Sequence, residues 1–341
     1  MMRREQQARL LENARILLEV SCRATTGETV LILSNAQFHR YARAVAQAAE
    51  TLDLHPVIMD LGEYPFERDI NHLYAPSPPL PAVAEALRVA DLVINIPPFS
   101  YNRLIGESAN DDAYLSASQR WVSLQSNRME DWRLDAAEVA AIRIRTEWLL
   151  GVVDGAEWGH VTSPAGTDFR FRLGPKSSHV PVLGIVPLYG EVAVVPGGEE
   201  SGVFVIDGPT QMAVRPVNEM LREPLRVEVE GGVVTGYSGD PEQVARLEAF
   251  MDSGDPRADR IDEVGLTTTH VPENDIVGMG GWDDGTHNGH RIHIAIGNNV
   301  GREAVVHGSR HMDGEVDRPT VTIDCRPIMQ NGVFVDVPGV D

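Results

Sequence analysis

Two cysteines, Cys22 and Cys325, stand almost a full chain length apart in a sequence of 341 residues. This spacing excludes a disulfide framework, a thiolate zinc site and a CxxC redox pair. The expectation is two small thiols, buried or half-buried, in a reducing compartment. Lysine is nearly missing, with Lys176 the one lysine among 29 basic residues, so lysine chemistry has a single candidate. No run of 18 apolar residues occurs, and no spanning helix is predicted. The opening MMRREQQARLLENARILLEV has neither an apolar core nor a small-residue cleavage site, so it does not read as a signal peptide. A basic surplus is lacking too: 50 acidic residues give a formal charge of −21. Nothing there would neutralise phosphates, so neither nucleic acid nor an anionic membrane is an expected partner. These absences predict a soluble cytoplasmic protein.

What is present is enough for a sizeable core, since 43% of residues are hydrophobic. Two domains are expected, because single cores rarely grow past roughly 250–300 residues. Leu10, Leu11, Ile16, Leu17 and Val20 recur at helical spacing over residues 4–20. Then TGETVLILSN reads as a buried strand, 40–52 as a helix, HPVIMDL as a strand, and AVAEALRVADLVINIPP as a helix running into a strand. Another amphipathic helix is expected over 132–150. Strands alternating with helices in this way imply a parallel sheet covered on both faces. After Gly151 the texture changes to short alternating runs broken by Gly and Pro, among them DFRFRLG, GEVAVVPG, SGVFVIDG, LRVEVEGG, RIHIAIG and TVTIDC. Period-2 alternation with frequent turns is the mark of antiparallel sheet. One helix, 241–251, interrupts it, and Gly166, Thr167 and Asp168 are expected to form a turn with its side-chain cap. The predicted fold is an α/β N-terminal domain with a mostly parallel sheet over 1–150. A mainly antiparallel β (α+β) domain over 151–341 follows and holds a metal site. A cleft between them is the expected binding site, lined on the N-terminal side by Phe99, Tyr101 and Arg103.

The chemistry is narrowed by further absences. TGETVLILS carries its glycine before the strand, on the wrong side for phosphate binding, and no Gly-x-Ser-x-Gly elbow occurs. Histidine supplies the positive signal, because six of the 11 fall between His270 and His311. In HMD, His311 and Asp313 project from one face if the segment is extended, which makes half of a facial ligand set for a divalent metal. In RIHIAIG, Ile292, Ile294 and Ile296 share one face, leaving Arg291, His293 and Ala295 on the other. His287 and His290, in THNGH, read as solvated loop residues. With no cysteine in reach, a metal here would have N and O ligands.

The succession GEVAVVP, DEVGL, IHIAIG, HMD and TVTIDC resembles the C-terminal half of the thermophilic aminopeptidase (aminopeptidase T/S) metallopeptidase family. The opening helix, TGETVLILSN and VADLVINIP also resemble a related branch, 2,5-dihydroxypyridine 5,6-dioxygenase. The peptidase side of the resemblance implies a two-metal centre surrounded by Glu191, Glu263, His293, His311 and Asp313. Asn288 and Val300 replace a glutamate and a tyrosine of the peptidases, which weighs against a second ion and a peptide substrate. The dioxygenase side implies one Fe(II) held by two histidines and an aspartate. His311 and Asp313 match, Glu263 stands where the other histidine would be, and Tyr101 stands at a catalytic histidine. The resemblance also implies a homodimer or larger homo-oligomer.

Three carboxylates around two neutral imidazoles overcompensate a single divalent ion. One is then free as a general base beside a water whose pKa the metal lowers to about 7. Glu191 is assigned to that role, Glu263, His311 and Asp313 to metal ligation, and His293 to ligation or transition-state donation. The expected function is a metal-dependent hydrolase (Zn, Mn or Co) cleaving an amide-type C–N bond of a small molecule or heterocycle. The alternative is an Fe(II) ring-cleavage dioxygenase of a hydroxylated N-heterocycle, and the third reading is a non-catalytic metal-binding protein of the same fold.

Overall fold

The computed structural model describes residues 4–61, 81–96, 120–123, 129–132, 134–173, 178–183, 190–210, 219–221, 223–254, 257–269, 290–297 and 311–339. Within these, Trp121, Ser123, Asp131, 178–183, Pro209, Thr210, Glu219, Met220 and His311 are described by backbone alone. The chain forms two compact units, one centred on Met1–Ala140 and the other on Ala141–Val182, Gly190–Glu273 and Asp284–Asp341.

The first unit contains α1 (Arg4–Ile16), β1 (Thr29–Ser34), α2 (His39–Thr51), β2 (His55–Asp60), α3 (Pro81–Val89), β3 (Leu92–Asn95) and β4 (Arg120–Ser123). A single π turn, Leu17–Ser21, extends α1. The strands form a parallel sheet in the order β2-β1-β3-β4. Helices cover both faces, which is why β1 and β3 read as unbroken apolar runs rather than alternating ones. Val30, Ile32, Leu92, Ile94 and Val122 pack with residues of α1 and α2. Leu31, Leu33 and Val93 pack with Val83 and Leu87 of α3. Alanines 42, 44, 48 and 49 make the buried side of α2 narrow enough to lie close on the sheet. Asn13 ties α1 to the end of this layer by donating to the carbonyls of Met129 (2.6 Å) and Trp132 (3.0 Å).

The second unit begins in α4 (Ala136–Val153) and continues through β5 (Trp158–Thr162), β6 (Asp168–Arg172), β7 (Ser178–Leu183), β8 (Gly190–Val195), β9 (Ser201–Ile206), β10 (Pro209–Thr210) and β11 (Glu219–Met220). Next come β12 (Leu225–Glu230), β13 (Val233–Ser238), α5 (Pro241–Met251), β14 (Ile261–Thr267), β15 (Arg291–Gly297) and β16 (His311–Asp317). The last strands are β17 (Thr320–Ile323), β18 (Arg326–Gln330) and β19 (Val333–Phe334). One sheet runs β11-β10-β16-β15-β14-β8-β7 and the other β13-β12-β9-β6-β5-β17-β18-β19. A single hydrophobic core joins them: Val192, Val194, Val264, Leu266, Ile292, Ile294, Ile296 and Met312 come from the first sheet, and Phe169, Phe171, Phe204, Val227, Val321 and Ile323 from the second. Phe169 and Phe204 meet edge to face at 5.8 Å, a geometry worth about 0.5–1.5 kcal/mol beyond its buried area.

Local signals act as expected from their chemistry. Asp240 caps α5 by accepting from the amides of Glu242 and Gln243, with Pro241 in the first turn where no N–H is needed. The turn after β5 is closed by Gly166 N donating to Ser163 O (3.1 Å), and Gly166 takes φ +106°. Thr167 then turns inward and its hydroxyl accepts from Val205 N at 3.0 Å. The thiols depart from expectation in one respect: Cys22 is buried, but Cys325 is exposed. Asp324 and Cys325 both adopt positive φ (46° and 66°), so they form the tight turn between β17 and β18, a surface position. Among the described residues no helix is long and apolar enough to cross a membrane.

Candidate metal centre

The sheet carrying β8, β14, β15 and β16 has one face committed to the core, and the register fixes what stands on the other. In β15 the alternating isoleucines face the core, which leaves Arg291, His293 and Ala295 opposite. Across the sheet His293 pairs with Gly265 on one side and Glu315 on the other. Ala295 lies between Glu263 and Asp313, and Glu191 pairs with Thr267. Five acidic or basic side chains of this face, Glu191, Glu263, His293, Asp313 and Glu315, are buried.

Glu263 reaches this face because of an irregularity. Ile261 packs in the core, and strict alternation would send Glu263 there with it. Between them the register with β15 slips: Ile261 pairs with Ile296 and Glu263 with the next residue, Ala295. Asp262 is the extra residue of this bulge, and it re-aims the glutamate, a use of bulges common beside active sites. Glu191 is held by a different device. Its neighbour Gly190 receives a hydrogen bond from Thr268 N on its carbonyl (2.8 Å) and donates its own amide to the Thr269 hydroxyl (3.0 Å). Helix α4 fixes Thr268 in turn, through the Thr146 hydroxyl (2.6 Å) and through Arg145 Nε donating to its carbonyl (2.8 Å).

The imidazole of His293 lies over Gly265, where a β-carbon would fall on the ring. From there its Nε2 is 3.7 Å from Glu191 Oε1 and 3.6 Å from Glu263 Oε1. Ligand atoms of all three residues fall within 4.8 Å of one another. Burial pushes the Glu191 carboxyl well above its usual range; His293 opposes this, while Glu263 and Asp313 add to it. Burial disfavours a charged His293 ring, but the Glu191, Glu263 and Asp313 carboxylates outweigh it and raise its pKa well above the ordinary value. Two carboxylates thus crowd one imidazole in a desolvated place, where Glu191 and His293 hold their protons more tightly than usual. A divalent cation held by Glu263 and His293 could take the place of the imidazole proton, with the Glu191 carboxylate beside it. The donor set of two carboxylates and one imidazole suits a borderline or hard ion such as Fe(II), Mn(II) or Zn(II).

Of the residues singled out in the sequence, the structure therefore brings Glu191, Glu263 and His293 together. Asp313 is buried on the same face and contributes to the field, but β15 intervenes and its carboxylate is not part of the 4.8 Å cluster. His311 opens β16 opposite Gly297, and its side chain lies outside the described residues. Phe99, Tyr101, Arg103, His287, Asn288 and Val300 also lie outside them. His290 is half-buried against the β18–β19 turn, with Nδ1 3.4 Å from Gly332 O. Sequence reasoning missed Asp262 as a bulge, Gly265, Thr267 and Glu315. The adjacent acids in IDEVGLT were a usable signal, since one strand face cannot take both.

Comparison with known proteins bears directly on this centre. The family model described as NicX, 2,5-dihydroxypyridine 5,6-dioxygenase, matches residues 17–336. The chain belongs to this family. In solved structures, the NicX-family chain is similar to 2,5-dihydroxypyridine dioxygenase from Pseudomonas putida KT2440, with TM-score 0.68, 18% identity, and 97% and 98% of the two chains covered. It is also similar to wild-type AmpT from Thermus thermophilus, with TM-score 0.60, 16% identity, and coverage of 96% and 99%. At these identities the likeness establishes the fold. No curated protein sequence matches. The superfamily expected from the motif order is thus the right one, and the family match ranks the dioxygenase reading above the hydrolase reading.

Proposed function

We propose that this NicX-family protein is a divalent-metal ring-cleavage dioxygenase acting on a hydroxylated N-heterocycle. The observation that carries the reading is the buried Glu191–Glu263–His293 cluster in a chain matched to a ring-opening family over residues 17–336. Reactions of this class break one ring carbon–carbon bond and place one atom of O2 on each carbon, so no outside reductant is consumed. A bound Fe(II) would supply Lewis acidity toward a ring hydroxyl and one-electron access to O2. Glu263 and His293 would hold the ion together with Asp313 and His311. Glu191, buried beside these groups, is suited to exchanging a proton with a ring hydroxyl. Burial of the cluster keeps bulk water from competing for these groups.

A hydrolase remains the second reading, favoured by one feature. Glu263 supplies a carboxylate where the dioxygenase resemblance calls for an imidazole, and this shifts the donor set toward that of the aminopeptidase resemblance. Metal-free protein reconstituted anaerobically with Fe(II), Zn(II) or Mn(II) separates the two. With Fe(II) and 2,5-dihydroxypyridine, O2 uptake equal to the substrate lost is expected. No O2 uptake by the Fe(II) form, with amine release from amide substrates by the Zn(II) or Mn(II) form, would replace this reading by the hydrolase. Failure to retain any of the three ions would leave a non-catalytic protein. Asp313→Ala is expected to lower metal content at least tenfold without unfolding the chain, and Glu191→Gln to keep the metal while losing turnover about 100-fold.

A further inference from the structure

Residues 267–269 are three consecutive threonines, all buried, and two of their hydroxyls have evident work. Thr268 Oγ1 bonds Thr146 Oγ1 (2.6 Å), and Thr269 Oγ1 accepts from Gly190 N (3.0 Å). Among the described residues the Thr267 hydroxyl has no hydrogen-bond partner, although the residue is completely buried. Its place in the register is known. Val264 and Leu266 face the core, so Thr267 stands with Glu263 and Gly265 on the metal-centre face, directly opposite Glu191. Two observations therefore converge on one spot: a cluster of candidate metal ligands, and a fully buried hydroxyl on the same face that bonds to none of the described residues.

Leaving a buried hydroxyl unsatisfied is costly, because it loses its bonds to water and gains none in return. A bound molecule that completes such a group is one reason for a protein to retain it. The surroundings define what that molecule offers. Glu191, Glu263, Asp313 and Glu315 are acceptors or proton holders, and Arg291 is engaged by Asp317 at 3.3 Å. Among the described residues, a ring oxygen entering this face meets few donors beside the His293 ring. A threonine hydroxyl supplies one without adding charge.

We infer that Thr267 is a substrate-binding residue whose hydroxyl donates to an oxygen of the heterocycle, either a hydroxyl or its deprotonated form. This rests on the functional reading above and adds to it the contact that distinguishes an oxygenated ring from a bare one. Thr267→Val keeps the shape and removes the hydroxyl, while Thr267→Ser keeps the hydroxyl. In the Fe(II)-loaded enzyme, Thr267→Val should raise KM for 2,5-dihydroxypyridine about 10- to 100-fold with unchanged metal content, and Thr267→Ser should stay within about threefold of the parent protein. Measured without substrate, the melting midpoint of Thr267→Val should equal or exceed that of the parent, because an unsatisfied group has been removed. A Thr267→Val protein with unchanged KM overturns the inference. So does one that melts several degrees lower and is rescued by Thr267→Ser, since the hydroxyl would then serve the fold. If the parent protein neither binds nor turns over the hydroxypyridine, the functional reading fails and this inference falls with it. That result is distinct from one seen in the variants alone.

Discussion

Gly265→Ala should cost the protein its metal. The added methyl would collide with the His293 imidazole, whose carbon and nitrogen atoms occupy the space over residue 265. Gly265 does not have a positive φ, so the glycine is there for room rather than for backbone freedom. Nor is the obstruction the tip of a flexible chain, because a fully buried ring in a packed strand cannot swing aside cheaply. The imidazole would be driven from its place between Glu191 and Glu263. The expected result is loss of metal retention by at least two orders of magnitude, with an overpacking penalty of about 1–3 kcal/mol. A double-mutant cycle gives the sharper form. In a His293→Ala background the space is empty, and Gly265→Ala should then cost close to nothing by thermal melting. Equal penalties in both backgrounds, or normal metal content in Gly265→Ala, would show that the ring does not depend on this glycine.

The contrast between Gly265 and His293 shows how far the sequence can be read. His293 declared its face because the isoleucines around it alternate cleanly, and alternation is a local property. The parallel sheet was legible for a similar reason: a strand buried on both faces, such as β1, is apolar without interruption. Gly265 carried no such signal, since its purpose is set by a ring on the neighbouring strand. Glu263 was misleading by simple alternation, which groups it with Ile261 in the core. The bulge that frees it exists only in the pairing of β14 with β15. The HMD motif placed Asp313 on the metal-centre face, but strand order decided its distance. With β15 between β14 and β16, Glu263 and Asp313 sit on strands about 10 Å apart. Strand order is a non-local outcome, and a three-residue motif does not encode it. Function was harder still, because one donor set is compatible with hydrolysis and with oxygenation, and the family match was needed to rank them.

Removing the metal should make stability depend on pH in an unusual direction for an acidic protein. In the metal-free fold both Glu191 and His293 hold protons more tightly than in the unfolded chain, since both pKa values are raised from their ordinary 4.5 and 6.5. Groups of this kind contribute stability that is complete below the unfolded pKa and is lost as pH rises toward the folded one. The loss should begin above 4.5 with Glu191 and continue above 6.5 with His293. A divalent ion weakens the dependence by displacing the His293 proton and favouring the ionised form of Glu191 beside it, so its binding should tighten as pH rises and release protons as it does so. The melting midpoint with excess chelator is thus expected to fall between about pH 5 and about pH 8, and the stabilisation gained on adding metal to widen over the same interval. A formal charge of −21 also disfavours the compact state at high pH through general repulsion, so the slope alone does not assign the effect. Glu191→Gln isolates it, because the amide cannot titrate. The early part of the fall should flatten in that variant, and identical slopes in Glu191→Gln and the parent protein would place the titrating group elsewhere.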